Sequence, residues 1–275
     1  MSGPALAAKG IHEGMDGDKY HTLPGLSNTG LGKLLASPAH YRAYVRNPPK
    51  ETPALRLGKL LHKAVLEPDA LALAIAPNVD RRTNSGKKAW ADFLLENPGA
   101  EIVTADEADQ IQFMRDAVYS HPSARKLLFA PGRAEASAWW YDDLEGVLCK
   151  CRPDYARDDH IIVDLKSTED AEPNAFGRSA VKYGYVRQGA FYWDGWHRVT
   201  GIKPEGFVFI AVEKEPPYAV SVYALTPIQL DMGRHEYRRA LARYSECQIS
   251  GHWPGYSDKI EPLALPAWAM KGETL

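Results

Sequence analysis

The chain has 275 residues, of which 45% are hydrophobic and 25% charged, with a formal net charge of −2. That length supports one large domain or two small ones, and the near-neutral balance excludes polyanion binding through the overall field, so any such binding must come from a local patch. No apolar run approaches the ~20 residues that cross a bilayer, and residues 1–19 hold no apolar signal core, so the expected location is cytoplasmic.

Residues 1–20 lack periodicity and read as a mobile arm ahead of a single domain over 21–275. Ser27 is placed to cap a helix through Leu31, Leu34 and Leu35 that stops at Ser37-Pro38. A short helical piece with Tyr41 and Tyr44 ends before Pro48-Pro49. A second helix over 56–68 carries Leu57, Leu61 and Val65 on one stripe and Gly58 and His62 on the next. Gly58 points to a close approach by another backbone or a ligand. On periodicity alone His62 is an ordinary helix histidine. Arg81, Arg82, Lys87 and Lys88 gather four cations in eight residues ahead of a helix with Trp90, Phe93 and Leu94. This is either a solvated loop or a phosphate-binding loop helped by free N–H groups near Ser85. A further helix over 106–120 shows Ile111, Met114 and Val118 on one face.

The period then changes to two. Strands are expected at 136–141, 147–155 and 160–167, joined by short turns. A helix over 181–199, strands at 207–213 and 218–225, and a long helix opened by Thr226-Pro227 follow. The resulting fold class is α+β, a central mixed β-sheet flanked by helices with a helical N-terminal layer. Cys149, Cys151 and Cys247 are too few for a disulfide framework or a four-thiolate centre. Cys149 and Cys151 read as buried small apolar residues.

One stretch carries chemistry. Pro153-Asp154 lies ten residues ahead of Asp164-Leu165-Lys166. On a strand, Asp164 and Lys166 share a face and Leu165 points the other way. Two carboxylates and an amine then converge at the end of a hairpin, a donor set suited to a hard cation such as Mg²⁺. An isolated Asp-x-Lys is ordinarily a surface ion pair. Here Asp164 follows Ile161, Ile162 and Val163, where a buried charge needs a reason. In the helix over 181–199, Gln188 and Tyr192 share a face with Val181, Tyr185 and Trp196. Gln188 puts an amide into an aromatic stripe, where it needs partners. Glu135, just before the first strand, is a further acidic candidate and reads as structural.

Taken in order, Leu57-Gly58-x-x-x-His62 with Glu67-Pro68, Cys151-Arg152-Pro153-Asp154, Val163-Asp164-Leu165-Lys166-Ser167 and Gln188-x-x-x-Tyr192 resemble the PD-(D/E)XK nuclease superfamily. Within it, the chain is similar to the exodeoxyribonuclease VIII (RecE) nuclease domains of phage and prophage recombination systems, over about residues 20–225. The resemblance implies a restriction-endonuclease-like fold and a Mg²⁺-dependent DNA exonuclease in which Mn²⁺ substitutes. It implies 5′→3′ digestion of linear duplex DNA ends to 5′-mononucleotides, leaving a 3′ overhang for a RecT-like single-strand annealing protein. It further implies a ring-like trimer or tetramer, phage or prophage encoded, in the bacterial host cytoplasm.

By the same resemblance, Asp154, Asp164, His62 and the main-chain carbonyl of Leu165 are metal ligands and Lys166 is the catalytic lysine. Gln188 and Tyr192 line the site. Arg81, Arg82, Lys87, Lys88 and Arg152 grip DNA phosphates, and Ser27 sits where relatives contact the 5′-phosphate. The alternatives are a structure-specific endonuclease or single-strand nuclease on the same fold, and an inert DNA-binding subunit. Asp154, Asp164 and Lys166 occurring together argue against the last.

Overall fold

The structure is a computed structural model that describes residues 9–265. Short polar caps fix most helix starts in its first half. After β1 (Gly10–His12), Asp16 opens α1 (Gly17–Thr22), Ser27 opens α2 (Asn28–Ala36), Ser37 opens α3 (Pro38–Arg46) and Thr52 opens α4 (Pro53–Leu66). Each cap accepts a bond from the backbone N–H three residues on, satisfying a donor the helix leaves free. The strands β2 (Leu73–Ile75) and β3 (Glu101–Val103), with the helix α5 (Asn84–Glu96) between them in the chain, pair parallel in a two-stranded sheet, and Leu73 and Val103 pack on Leu60 and Ala64 of α4. A Thr104/Glu107 capping box starts α6 (Ala105–Ser120), and α7 (Pro122–Leu128) follows.

The strands β4 (Gly132–Ala134), β5 (Ser137–Tyr141), β6 (Leu148–Cys151), β7 (Tyr155–Arg157) and β8 (Ile161–Thr168) come next. The chain ends with α8 (Pro173–Tyr183), α9 (Tyr185–Thr200), β9 (Gly206–Glu213), β10 (Val220–Ala224) and α10 (Pro227–Ser250). The central sheet has the order β10-β9-β8-β7-β4. Its β8–β9 pair is parallel and its other pairs are antiparallel, so the sheet is mixed as expected. A second sheet of order β1-β5-β6 is antiparallel throughout.

Both faces of the central sheet are covered. Val163 and Leu165 of β8, with Ile210 and Val212 of β9, pack on Leu61 and Val65 of α4 and Met114 and Val118 of α6. The alternate residues Ile162, Phe207, Phe209 and Ala211 pack with Ala190 and Phe191 of α9 and with Leu230, Tyr237 and Leu241 of α10. This period of two sends neighbouring side chains of β8 into different layers. The helices α9 and α10 come unusually close at Gly233. A Cβ there would overlap the Val186 carbonyl and the Ala190 methyl, so glycine sets the spacing of the two helices.

Several expectations need correction. The strand expected over 147–155 is two strands in different sheets. Pro153 has no N–H to give a ladder, and Arg152 to Asp154 carry the chain from one sheet to the other. The helix expected over 181–199 is broken at Gly184, which takes φ 69 and caps α8. Val181 therefore lies on α8 and is exposed rather than continuing the Gln188 stripe. Gly58 meets only the Ser167 hydroxyl, at an ordinary 3.6 Å from an added Cβ, so no backbone approaches it closely. Of the expected arm, residues 1–8 lie outside the described residues. From residue 9 it contains β1, paired with β5, and α1, with Tyr20 buried. All three cysteines are free and buried.

Candidate active site

The hairpin β7–β8 and the helices on either side of the sheet each supply part of one cluster. Asp164 is fully buried on the α9 side of β8, and Gln188 Nε2 donates to its Oδ2 at 2.6 Å. The polar interruption of the α9 stripe is thus explained: the amide serves a buried carboxylate. The other oxygen, Oδ1, forms an ion pair with the Lys166 ammonium two residues along the same strand face, yet has no hydrogen bond of good geometry. Lys166 Nζ also lies 4.9 Å from the centroid of the Tyr185 ring.

Asp154 enters from the crossover between sheets. The register Tyr155↔Val163 brings it level with the motif strand, and its Oδ2 accepts from Leu165 N–H at 2.6 Å. Oδ1 is left facing the cluster. From the opposite layer, α4 supplies His62, whose Nε2 lies 2.9 Å from the Leu165 carbonyl oxygen. His62 Nδ1 stands 3.5 Å from Asp154 Oδ1 and 3.8 Å from Glu135 Oε1. Glu135 occupies the link between β4 and β5 with a left-handed φ of 50. Its N–H donates to the Asp154 carbonyl at 2.9 Å. Its Oε2 accepts from Arg152 Nε at 2.5 Å.

Charge in the cluster is finely balanced. Burial lifts the Asp154 carboxyl above the usual range, and the Asp164 charge adds to this. Burial works against the His62 cation, but the Asp154 and Glu135 carboxylates outweigh it and raise the group to about 9. Burial likewise opposes the Lys166 cation, and Asp164 and Asp154 overcome it. Glu135 is raised by burial but held below its ordinary value by His62 and Arg152. His62, Glu135 and Asp154 present ligand atoms within 4.8 Å of one another. A cavity of about 700 Å³ opens onto them between α4 and the segment after β1, with Tyr20 and Tyr192 in its wall.

The profile of the family described as "PDDEXK-like domain of unknown function (DUF3799)" matches residues 27–266. The chain belongs to this family. A protein of Eubacterium rectale provisionally named an exonuclease has a similar structure. Identity is 13%, the TM-score is 0.63, and the alignment covers 96% of this chain and 100% of that one. A phage-related exonuclease from Haemophilus somnus aligns over 70% of this chain and 94% of its own, at 14% identity and a TM-score of 0.35. An alkaline exonuclease from Laribacter hongkongensis aligns over 70% and 95%, at 14% identity and a TM-score of 0.31. Among curated protein sequences none matches the chain. The membership and the shared architecture of the Eubacterium rectale protein bear out the PD-(D/E)XK resemblance and its fold.

In this PDDEXK-like domain, His62 lies by Asp154 and the Leu165 carbonyl, Asp154 by Leu165 N–H, and Asp164 by Lys166 and Gln188. Tyr192, one turn beyond Gln188, lines the cavity. Arg152 turns inward. Its guanidinium serves Glu135, the Ser137 hydroxyl at 3.0 Å and the Met15 carbonyl at 2.8 Å, and it stands in the cavity wall. Ser27 caps α2 and does not line the cavity. Arg81, Arg82, Lys87 and Lys88 sit around the start of α5, outside the cavity wall. Arg81 stacks on Trp90 at 4.4 Å, Arg82 pairs with Asp80 and Lys88 with Asp92, leaving all of them on the surface. Glu135 is a member of the cluster that the sequence reading set aside as structural. A glutamate before an aromatic strand is a weak signal, and only the sheet crossover brings it to His62.

Proposed function

We propose that this protein is a divalent-metal-dependent DNA exonuclease acting on linear duplex ends. The observation that carries this reading is Asp164 Oδ1, a fully buried carboxylate oxygen without a hydrogen bond of good geometry, facing Lys166 beside Asp154. A buried anionic oxygen left in that state costs stability unless a ligand uses it. Asp154 Oδ1, Asp164 Oδ1, the Leu165 carbonyl and one nitrogen of His62 would suit a hard divalent ion, which takes oxygen ligands first and tolerates imidazole. When bound, the ion supplies charge neutralisation at the scissile phosphate and lowers the pKa of an attacking water.

The chain's own groups prepare that chemistry. Gln188 and Leu165 N–H each hold one oxygen of a carboxylate, fixing the direction of the other. Lys166 places a cation where negative charge develops on the phosphoryl oxygens. Hydrolysis joins the water oxygen to phosphorus and breaks the bond to the 3′-oxygen, giving a 5′-phosphate and a 3′-hydroxyl. The direction 5′→3′, the hand-over of a 3′ overhang to an annealing protein and a ring-like assembly rest on the motif resemblance. Contact of Arg81, Arg82, Lys87 and Lys88 with DNA phosphates is supported by their clustering on one exposed helix start.

The test is digestion of one linear duplex labelled in turn at each 5′ and 3′ end, with Mg²⁺ and with EDTA, beside a closed circle. Early release of 5′ label as mononucleotide, with the circle intact, is the expected result. Cutting of the closed circle favours an endonuclease on the same fold. No cutting with any divalent ion leaves a DNA-binding module.

A further inference from the structure

We propose that the segment from Lys19 to Lys50 is a phosphate-binding surface that carries the duplex beside the cavity. This rests on the nuclease reading above for its ligand, and it involves none of the residues of the metal cluster. Charge is unevenly spread along the chain. Residues 19–50 hold five Lys and Arg (Lys19, Lys33, Arg42, Arg46 and Lys50) and no Asp or Glu, although the whole chain has 35 carboxylates against 33 Lys and Arg. At the average composition about four carboxylates would fall in a stretch of that length. A local excess of positive charge in a near-neutral chain is the patch that a polyanion needs.

All five cations are exposed, and among the described residues none of them is in an ion pair. The other candidates for a phosphate are matched already. On α5, Arg82 is held by Asp80 and Lys88 by Asp92. In the cavity wall, Lys59 is held by Glu51 and Lys63 by Glu101. A paired cation must give up one carboxylate to gain a phosphate, whereas an unpaired one gives up only water, so the counterions released from the nucleic acid are a net gain. The segment also begins and ends at the cavity, with Tyr20 and His21 in the wall at one end and Glu51 at the other. Between them α2 and α3 are firmly set. Leu31 and Leu34 are fully buried, and Tyr41 packs on Tyr244 and Trp253. Arg42 and Arg46, four apart, share one exposed face of α3. Arg42 lies over the Trp253 ring at 5.8 Å, and a stacked guanidinium keeps its N–H edge for a phosphate. Because this surface adjoins a cavity whose cluster suits a divalent ion, a nucleic-acid backbone fits it better than an anionic membrane.

The test uses the full chain and a fluorescent blunt duplex in EDTA, so that binding is read without cleavage, over a series of NaCl concentrations. Lys33→Gln with Arg46→Gln removes two exposed cations whose side chains hold nothing else in place, and the circular-dichroism spectrum is expected to stay unchanged. Affinity is expected to fall, and the slope of log K against log salt to become shallower by about 2, from a slope of about 0.9 for each phosphate contact. Lys126→Gln with Lys203→Gln takes the same charge from exposed positions outside the segment and is expected to keep the wild-type slope. A wild-type slope in the first pair, an equal flattening in the second, or no duplex binding by the wild type overturns the proposal. Vesicles of phosphatidylserine and phosphatidylcholine run alongside. Vesicle binding that is lost in the first pair while duplex binding persists overturns it too, in favour of a membrane surface. The nuclease reading fails separately. A wild type that binds the duplex through Lys33 and Arg46 yet cuts nothing with Mg²⁺ or Mn²⁺ defeats that reading and leaves the phosphate-binding surface standing.

Discussion

Asp164 has one oxygen bonded to Gln188 and the other against Lys166, so its two neighbours do different work. Lys166→Ala removes the cation proposed to face the phosphoryl group, and a loss of about 10²–10³-fold in kcat is expected in a single-turnover digest at saturating metal. The same change strands a buried carboxylate and costs the metal-free protein about 3–5 kcal/mol, measured by urea unfolding, part of which Mg²⁺ restores. His62 gives a pH signature. Its pKa is about 9 in the folded, metal-free protein against 6.5 as the reference value. A raised histidine pKa means the folded state holds the proton more tightly. Its stabilising effect is therefore complete below pH 6.5 and is lost as pH climbs through 9. The stability difference between wild type and His62→Ala should shrink over that window in EDTA. An ion that takes the ring must displace the proton, so titration calorimetry at pH 7.5 in buffers of different ionisation enthalpy should show proton release. Equal heats in all buffers would contradict the assignment of His62.

At the scale of elements, the site depends on a crossover and a helix spacing. Arg152 to Asp154 pass from the sheet of β6 to that of β7, which sets Asp154 against Leu165 N–H. On the other side, α9 must lie close to the sheet for Gln188 to reach Asp164, and Gly189 of α9 permits this, since a Cβ there would overlap Leu225 and crowd Phe207 of β9, while Gly233 of α10 admits the Val186 carbonyl of α9. Gly233→Val is expected to push α9 and α10 apart, lowering stability by about 1–3 kcal/mol and activity with it, as read from denaturant curves and initial rates. Wild-type rates in a destabilised variant would show that the α9–α10 spacing does not govern the site. The motif residues were legible because strand and helix periods assign faces directly: Asp164 with Lys166, Gln188 with Tyr192. The crossover was not, because the stretch 147–155 reads as one strand unless Pro153 is weighted as a ladder break. Gly184 was a similar signal, a C-cap inside what looked like one helix. The three-residue strands β1, β2 and β3 are too short for any period to show. Glu135 has no periodic neighbours at all, and its meeting with His62 is a long-range contact between layers.

At the scale of the molecule, the layers bring the α4 and α9 faces of the sheet to a shared edge, and the cavity opens there. The helix α5 carries the cations around Arg81, which are not in the cavity wall. A protein with net charge −2 needs such a patch if it holds a polyanion. Changing Arg81, Arg82, Lys87 and Lys88 to Ala is expected to weaken duplex binding and to flatten the dependence of affinity on salt, while leaving single-turnover cleavage at saturating DNA near the wild-type rate. An unchanged salt slope would mark the cluster as a solvated surface. Among the described residues no helix is long and apolar enough to cross a membrane.

Asp154, Asp164, Lys166 and His62 are proposed to form one metal-dependent phosphodiesterase site. The most direct measurement is cleavage of an end-labelled linear duplex by wild type and Asp164→Ala side by side, with Mg²⁺ titrated against EDTA. The expected result is release of labelled 5′-mononucleotide by the wild type only when Mg²⁺ is present, and a loss of at least about 10²-fold in the variant at every Mg²⁺ concentration. Metal-independent cleavage, or a variant as active as the wild type, would contradict it.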